Sequence, residues 1–337
     1  MVLIQSINED QSTTDVIKWL IHFKQKFLRV NDVAPIGAFK YVNGNFIITI
    51  NNKQIDFSKV DFYWYRRGKF EINPVLKNHS VKHFGREINT YIQNENSALL
   101  NYFLVYLKTD IKHSGSFITD VGINKMFVLD KASECNLIVP PSIITGNKID
   151  VSAFLKKHCR IITKPLHSAF HYYSKKYWFP TYTTEVEPEV FKLMPDTFEH
   201  SLFQKLIEKK FEIRAFFWDS TIFSMAIFSQ SDDQSKIDFR NYVFDRPNRC
   251  VPFNLPQKIS KKILELANGL NINSGSADLI YSIDREFVFL EINPLGQFGM
   301  VSYPCNYYLE KFIASKISSY GNKNHKGRKL GNPNKKQ

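Results

Sequence analysis

The sequence predicts a mixed α/β protein of α+β lobes: an N-terminal α/β lobe, a small central lobe and a C-terminal lobe built on an antiparallel sheet. Three observations carry that expectation. The chain opens strand then helix, the pattern changes near residue 120 to short helices and strands, and beyond residue 196 the chain is strand-rich, with one helix before a tight closing hairpin. With 337 residues, 43% of them apolar, the chain can bury sizeable cores, and its length suggests two or three packed subdomains.

Taken in order, MVLIQSI reads as a first strand. STTDVIKWLIHFKQKFL reads as a helix, because Val16, Ile17, Leu20, Phe23, Phe27 and Leu28 recur at helical spacing behind a Ser/Thr cap. AFKYV and NFIITI face each other across a Gly44 turn as a hairpin, and VDFYWYRRGKF supplies a strand that stops on Arg66, Arg67 and Gly68. Val81, Phe84, Ile88, Ile92, Leu99, Phe103 and Tyr106 line one face of a helix spanning 81–108. These elements make an N-terminal domain over 1–115. A helix over 124–136, a strand over 139–145, a helix over 151–157, the strand RIITKPL and an aromatic region, FHYYSKKYWFPTYTTEV, fall within a central subdomain over 116–195. The third domain, 196–320, holds strands in SLFQKLIEK, FEIRAFFWD, TIFSMAIFSQ and KIDFRNYVF, a helix over 256–269, a hairpin over 276–299 and a last helix after Pro304.

The net charge of +13 is unevenly spread. The segment 321–337 holds six Lys/Arg and no acid, and its Gly/Asn-rich composition predicts a disordered basic tail. Thirteen less six leaves +7 on the body, which fits an acidic ligand. No recognised nucleic-acid motif accompanies the charge, so nucleic acid is not the partner it predicts. The N-terminus lacks the pattern of a signal peptide, and no stretch nears the roughly 18 uncharged apolar residues of a membrane span. A cytoplasmic protein with no membrane partner is the expectation, and a homodimer is left open. Cys135, Cys159, Cys250 and Cys305 form no C-x-x-C pair, which argues against a zinc or redox site.

The closing hairpin, SADLIYSIDREFVFLEINPLGQFG, carries acids where a buried hairpin should not. Glu291 and Asn293 are two apart, so a strand of period two puts both on one face, and Asp278 on the preceding strand can join them. Two carboxylates and an amide oxygen are hard donors suited to Mg²⁺, which keeps waters and shares phosphate oxygens. A polar solvent face is the ordinary explanation of E-x-N, but the apolar run FVFL before it points to a buried site, where carboxylates need a cation. Upstream, Lys125 opens a helix, where charge and helix N-terminus both favour phosphate, and Lys164 closes an apolar strand just before Pro165. Each lysine taken singly reads as solvent-facing. The segment FQKLIEKKFEIRAFF offers backbone groups for a base, with Glu212 and Arg214 on one strand face beyond it. In DFRN, Arg240 and Asn241 supply a guanidinium and an amide.

In this order, Lys125, Lys164, Gln204 to Ile207, Glu212 with Arg214, Arg240 with Asn241, then Asp278, Glu291 and Asn293, the chain resembles the ATP-grasp superfamily over residues 124–299. Within it the E-I-R strand, the DFRN segment and the terminal E-x-N look like the ribosomal-protein glutamate ligases and peptide-macrocyclising ligases. FYWYRRGKF and INKMFVLDKASECNLIVPPSIIT resemble graspetide synthetases of the grasp-with-spasm type. Two departures stand out: Asn241 follows Arg240 directly, where the glutamate ligases place one residue between, and HSAFHYYSKKYWF stands where a glycine-rich loop is expected.

The resemblance implies an ATP-grasp fold and an ADP-forming ligase. ATP would lie with Lys125 and Lys164 on its phosphates, Gln204, Lys205, Leu206 and Ile207 at adenine, Glu212 at ribose and Asn241 assisting. Two Mg²⁺ ions would be held by Asp278, Glu291 and Asn293. Arg240 and Arg214 would stabilise the transferring phosphoryl group or the carboxylate. The implied substrate is an acidic ribosomal precursor peptide, leader plus core, whose Asp/Glu side chains are joined to Ser, Thr or Lys as esters or amides. Arg66 and Arg67 are candidates for the precursor's acids, and YYSKKYW for a peptide-docking edge. The alternative acceptor is a free amino acid, added to a protein or small molecule.

Overall fold

The computed structural model describes residues 1–72, 81–166, 171–174, 177–180, 183–230, 236–239, 245 and 247–323. The chain forms two compact units, Met1–Val121 joined by the chain from Tyr308 onward, and Gly122–Tyr307.

The first unit begins with β1 (Val2–Ser6), α1 (Gln11–His22) and β2 (Phe27–Asn31). It continues through β3 (Val33–Val42), β4 (Asn45–Ile50), β5 (Lys53–Asp56), β6 (Phe62–Tyr65) and β7 (Lys69–Ile72) to α2 (Val81–Thr109), β8 (His113–Ser114) and α3 (Phe117–Gly122). A parallel sheet orders its strands β2-β1-β6-β8, and a second sheet orders them β5-β4-β3-β7. β1 is buried along its whole length, as suits a strand flanked on both sides in a parallel sheet. The β3–β4 hairpin turns on Asn43 and Gly44, both at positive φ, as anticipated from the Gly44 turn. Phe103 and Tyr106 of α2 are buried whereas Ile88 is exposed, and the side chains of Val81 and Phe84 lie outside the described residues.

The predicted first helix is too long. It ends at His22, Lys24 adopts φ 54°, and Phe27 and Leu28 pair with Val2 and Leu3 as β2. Their spacing suits helix and strand alike, and pairing along β1 decides the matter. The cap is Asp10 rather than Ser or Thr: its carboxylate accepts from the Thr13 amide at 3.1 Å and lies 3.8 Å from the Arg66 guanidinium. After β6 the chain reverses at Gly68, with φ +80°, where a Cβ would stand 2.5 Å from the Asp32 carbonyl oxygen.

The second unit runs through α4 (Lys125–Glu134), β9 (Ser142–Asn147), α5 (Lys148–His158), β10 (Ile161–Lys164), β11 (His171–Tyr173), β12 (Trp178–Pro180) and β13 (Thr184–Glu185). Then come α6 (Pro188–Leu193), β14 (Thr197–Lys205), β15 (Lys209–Trp218), β16 (Thr221–Phe228), β17 (Arg249–Phe253) and α7 (Gln257–Gly269). It closes with β18 (Ser274–Ser282), β19 (Phe287–Asn293) and α8 (Gly299–Cys305), after which α9 (Leu309–Lys323) joins the first unit against α1. A small antiparallel sheet, β13-β10-β14-β9, holds its own core of Val151, Phe154, Ile161, Val186 and Phe203. A larger antiparallel sheet is ordered β17-β16-β15-β18-β19, with α4 and α7 packed against one face.

The strand expected over 139–145 starts only at Ser142, because Pro140 and Pro141 have no N–H for a ladder. Within KIDFRNYVF, the described residues 236–239 form turns rather than strand, and 240–244 lie outside the described residues. The hairpin and the helix before it stand as anticipated, and the last helix, α9, does follow Pro304, but α8, which contains that proline, was not foreseen. Of the segment read as a tail, 321–323 continue α9 and 324–337 lie outside the described residues. No helix among the described residues is long and apolar enough to cross a membrane.

The Asp10 cap gives this unit an acid-sensitive element. Burial raises the Asp10 carboxyl, but Arg66 and the hydrogen bonds from Thr13 and Ser6 outweigh it, so its pKa lies below the ordinary value. A depressed carboxyl contributes stability above the unfolded pKa of about 3.9, which is lost as pH falls through the folded value. Asp10→Ala should lower stability at pH 7 by about 1 kcal/mol. In urea titrations the gap between variant and wild type should narrow as pH drops below about 4.

Candidate functional site

The site is built on the larger sheet. Alternation along β15 and β18 sends Ile213, Phe217, Ala277 and Leu279 into the core, and Glu212, Arg214 and Asp278 to the opposite face. On β19, Phe289 and Ile292 both belong to that core although they are three apart. A bulge reconciles the spacing: Leu279 pairs with Phe289 and Asp278 with Glu291, leaving Leu290 as the extra residue. The apolar run therefore stays buried while Glu291 and Asn293 turn to the face that carries Asp278.

The three side chains converge. The Asn293 amide nitrogen lies 3.3 Å from Asp278 Oδ2 and 3.3 Å from Glu291 Oε1. Arg214 faces Asp278 across the ladder, with Nε 3.2 Å from Oδ1 and Nη2 donating to Oδ2 at 3.3 Å. Arg214 is buried, its Nη1 sits 3.1 Å from Met300 Sδ, and its guanidinium lies over the Phe239 ring at 6.0 Å. Among the described residues no three His, Cys, Asp or Glu side chains gather as a metal cluster. Two carboxylates and an amide do gather here, and this all-oxygen donor set fits Mg²⁺.

Two residues before Arg214, Glu212 is buried and ion-paired with Lys209, and its Oε1 also accepts from Ser229 Oγ at 3.0 Å. Lys209 Nζ also donates to the Ile237 carbonyl at 3.2 Å. Burial pushes the Glu212 carboxyl up, Lys209 and Ser229 pull it back only in part, and Asp238 adds to the rise. Lys209 opens β15, and its pairing with Glu212 is a feature that the sequence did not display.

The hinge between the two sheets is short. β14 ends at Lys205, and Leu206, Ile207 and Glu208 lead into β15. Gln204 is 1% exposed; its Nε2 donates to Ser142 Oγ at 2.8 Å, and its Oε1 meets no hydrogen-bond partner among the described residues. That orphaned acceptor beside the hinge fits a ligand that brings an amino group. The Leu206 amide already donates to the Arg160 carbonyl at 3.0 Å, and Lys205 is exposed.

Lys125 is the first residue of α4, capped by Asn124, and Lys164 is the last of β10. Lys125 Nζ donates to the Pro165 carbonyl at 2.9 Å, so the structure brings it onto the turn directly after Lys164. Arg240 and Asn241 lie outside the described residues, as do Lys175 and Lys176 of the aromatic hairpin β11–β12.

In the first unit, Arg66 and Arg67 follow β6 at the C-terminal edge of the parallel sheet. Arg66 is 6% exposed, beside Asp10 and over the Trp64 ring; burial pushes it down to about 10 against the pull of Asp10. Arg67 is half-buried, and nearby Asp120 is raised by burial while Tyr65 donates to it at 3.2 Å.

No protein-family model and no curated protein matches this chain. Solved structures do. A RiPP-associated ATP-grasp ligase of Chryseobacterium gregarium, in complex with ADP and a leader and core peptide, is similar at TM-score 0.76 and 22% identity, over 94% of this chain and 95% of that one. The macrocyclase MdnC of Microcystis aeruginosa, bound with precursor peptide MdnA, is similar at TM-score 0.74 and 25% identity, over 95% and 99%. The ATP-grasp ligase PsnB, complexed with a minimal precursor, Mg and ADP, is similar at TM-score 0.70 and 15% identity, over 95% and 97%.

The Lys209–Glu212 pair yields a stability test. Lys209→Met leaves a buried carboxylate without its cation, which costs about 3 kcal/mol or more when ionised. A carboxyl raised by burial is tolerated below its unfolded pKa, and stability falls as pH rises through the folded value. The stability of Lys209→Met relative to wild type should therefore worsen as pH rises above the ordinary carboxyl value of about 4.3, read from chemical-denaturation midpoints at each pH.

Proposed function

We propose that this chain, which has the fold of the ATP-grasp ligases, is an ATP- and Mg²⁺-dependent ligase that crosslinks the side chains of a ribosomal precursor peptide. The observation that carries the reading is the convergence of Asp278, Glu291 and Asn293 beside Arg214 on one face of the sheet. Likeness to structures holding leader and core peptides, nucleotide and magnesium supports it.

On this reading Lys125 and Lys164 bind the phosphates of ATP, Gln204 to Ile207 line the adenine site, and Glu212 takes a ribose hydroxyl on the oxygen opposite Oε1. Asp278, Glu291 and Asn293 would hold Mg²⁺, two ions in all, which supplies charge neutralisation between the phosphates. A peptide Asp or Glu carboxylate oxygen attacks the γ-phosphorus and ADP leaves, giving an acyl phosphate. A Ser or Thr hydroxyl, or a Lys amine, then attacks the carbonyl carbon, loses its proton, and expels phosphate. Arg240 stabilises the transferring phosphoryl group with Asn241 beside it, and Arg214 holds Asp278 in place and meets the phosphate or carboxylate. Such chemistry rests on positioning and electrostatics, without a covalent nucleophile from the protein. Of the two N-terminal arginines, Arg67 is the one we assign to the peptide's acids, since Arg66 is held by Asp10.

The +7 charge that remains outside 321–337 favours an acidic precursor, and the cytoplasm, where ATP and nascent peptides are both at hand, is the setting the reading requires. A homodimer is compatible with it. The test is intact-mass spectrometry of an acidic, Ser/Thr-rich peptide encoded beside the gene, incubated with the protein, ATP and Mg²⁺. Successive losses of one water are expected, absent with Glu291→Gln. Unchanged peptide mass with ATP still consumed would point instead to a free amino acid as acceptor.

A further inference from the structure

We propose that Lys209 is a positioning residue for Glu212: its ammonium holds one carboxylate oxygen so that the other faces a hydroxyl of the nucleotide's sugar. The inference rests on the reading of Glu212 as the acid at ribose.

Lys209 and Glu212 are three apart on β15, so a regular strand would send them to opposite faces. A bulge brings them together. Lys209 pairs with Ser282 and Phe211 with Tyr281, which leaves Lys210 as the extra residue, and Glu212 pairs with Ile280. Ser282 and Ile280 are two apart on β18, so Lys209 joins the face that carries Glu212, Arg214 and Asp278. Phe211 stays with the core, stacked on Tyr281 at 5.0 Å. Bulges beside a site re-aim a side chain. The side chain re-aimed here is a buried lysine that meets a buried carboxylate.

Both hydrogen bonds that Glu212 accepts among the described residues fall on Oε1, one from Lys209 Nζ and one from Ser229 Oγ at 3.0 Å. Oε2 is left for a ligand. Lys209 is itself anchored, since Nζ also donates to the Ile237 carbonyl at 3.2 Å, so the ammonium fixes the carboxylate rather than following it. Its charge has a second effect. Burial pushes the Glu212 carboxyl up and Lys209 pulls it back, which favours the ionised form, an acceptor only. A sugar hydroxyl bonds more strongly to an ionised carboxylate than to a neutral acid.

The experiment titrates the full chain, in the presence of Mg²⁺, with ADP, 2′-deoxy-ADP and 3′-deoxy-ADP by calorimetry. Wild type should bind at least one deoxynucleotide about 10-fold more weakly than ADP, the worth of one hydrogen bond to a charged group. Lys209→Met should erase most of that preference by weakening ADP alone. The double variant Lys209→Met/Glu212→Gln buries no lone charge, and it decides the matter where Lys209→Met is too unstable to assay: its ADP affinity should equal that of Glu212→Gln alone. A wild-type preference in Lys209→Met, an equal weakening of all three nucleotides as a merely structural role predicts, or a further loss in the double variant would overturn the proposal. A wild type that binds all three alike would overturn the ribose reading of Glu212 and this inference with it. A wild type that binds none would overturn the nucleotide reading itself.

Discussion

Arg214 and Asp278 face each other across the β15–β18 ladder, and the polar side of the larger sheet is organised around that pair. A carboxylate and a guanidinium taken out of water each cost several kcal/mol, and they are tolerated because each is the other's partner. Their register follows from the apolar side of the same strands, where Ile213, Phe217, Ala277 and Leu279 pack with α4 and α7. Shifting either strand by one residue would bury the charges and expose the core, so the hydrophobic packing that folds the sheet also fixes which side chains meet at the site.

Next to that pair the sheet keeps a second buried ion pair, Lys209 with Glu212. The two differ in what they do for the fold. Arg214 is supported by Asp278, Met300 and the Phe239 ring, whereas burial leaves the Glu212 carboxyl raised despite Lys209 and Ser229. A charge held at a cost to stability is a common mark of a binding surface, and Lys209 also reaches the Ile237 carbonyl in the segment that leads toward Arg240.

How much of this was legible in the sequence varies with how local the determining physics is. The shared face of Glu291 and Asn293 follows from strand period alone, and the acid after FVFL was visible as an anomaly. The bulge at Leu290 was not, since it exists only relative to the register of β18. Phe27 and Leu28 suited either a helix or a strand until β1 supplied a partner. The burial of Lys209 and Arg66 was hidden for the same reason: a charged residue reads as surface until its counter-charge, Glu212 or Asp10, is placed beside it.

The sequence after the acid has its own explanation in backbone geometry. Following Asn293 the chain turns through Pro294 and Leu295 to Gly296, which has φ +50° and packs so tightly on β18 that a Cβ would lie 2.7 Å from the Gly275 carbonyl carbon. Gly275 is equally close from the other side, since a Cβ there would stand 2.7 Å from the Asn293 carbonyl oxygen and 2.9 Å from the Phe217 ring. Two glycines thus let the loop fold back against the strand beside Asn293, while Phe298 packs at 5.7 Å from Phe216. The end of β19 is held from both sides by contacts that admit no side chain, which limits the freedom of the residue at its tip. The proposed ligand set, with one carboxylate on β18 and a second, with the amide, on β19, needs its two strands at a fixed separation, which this close approach supports.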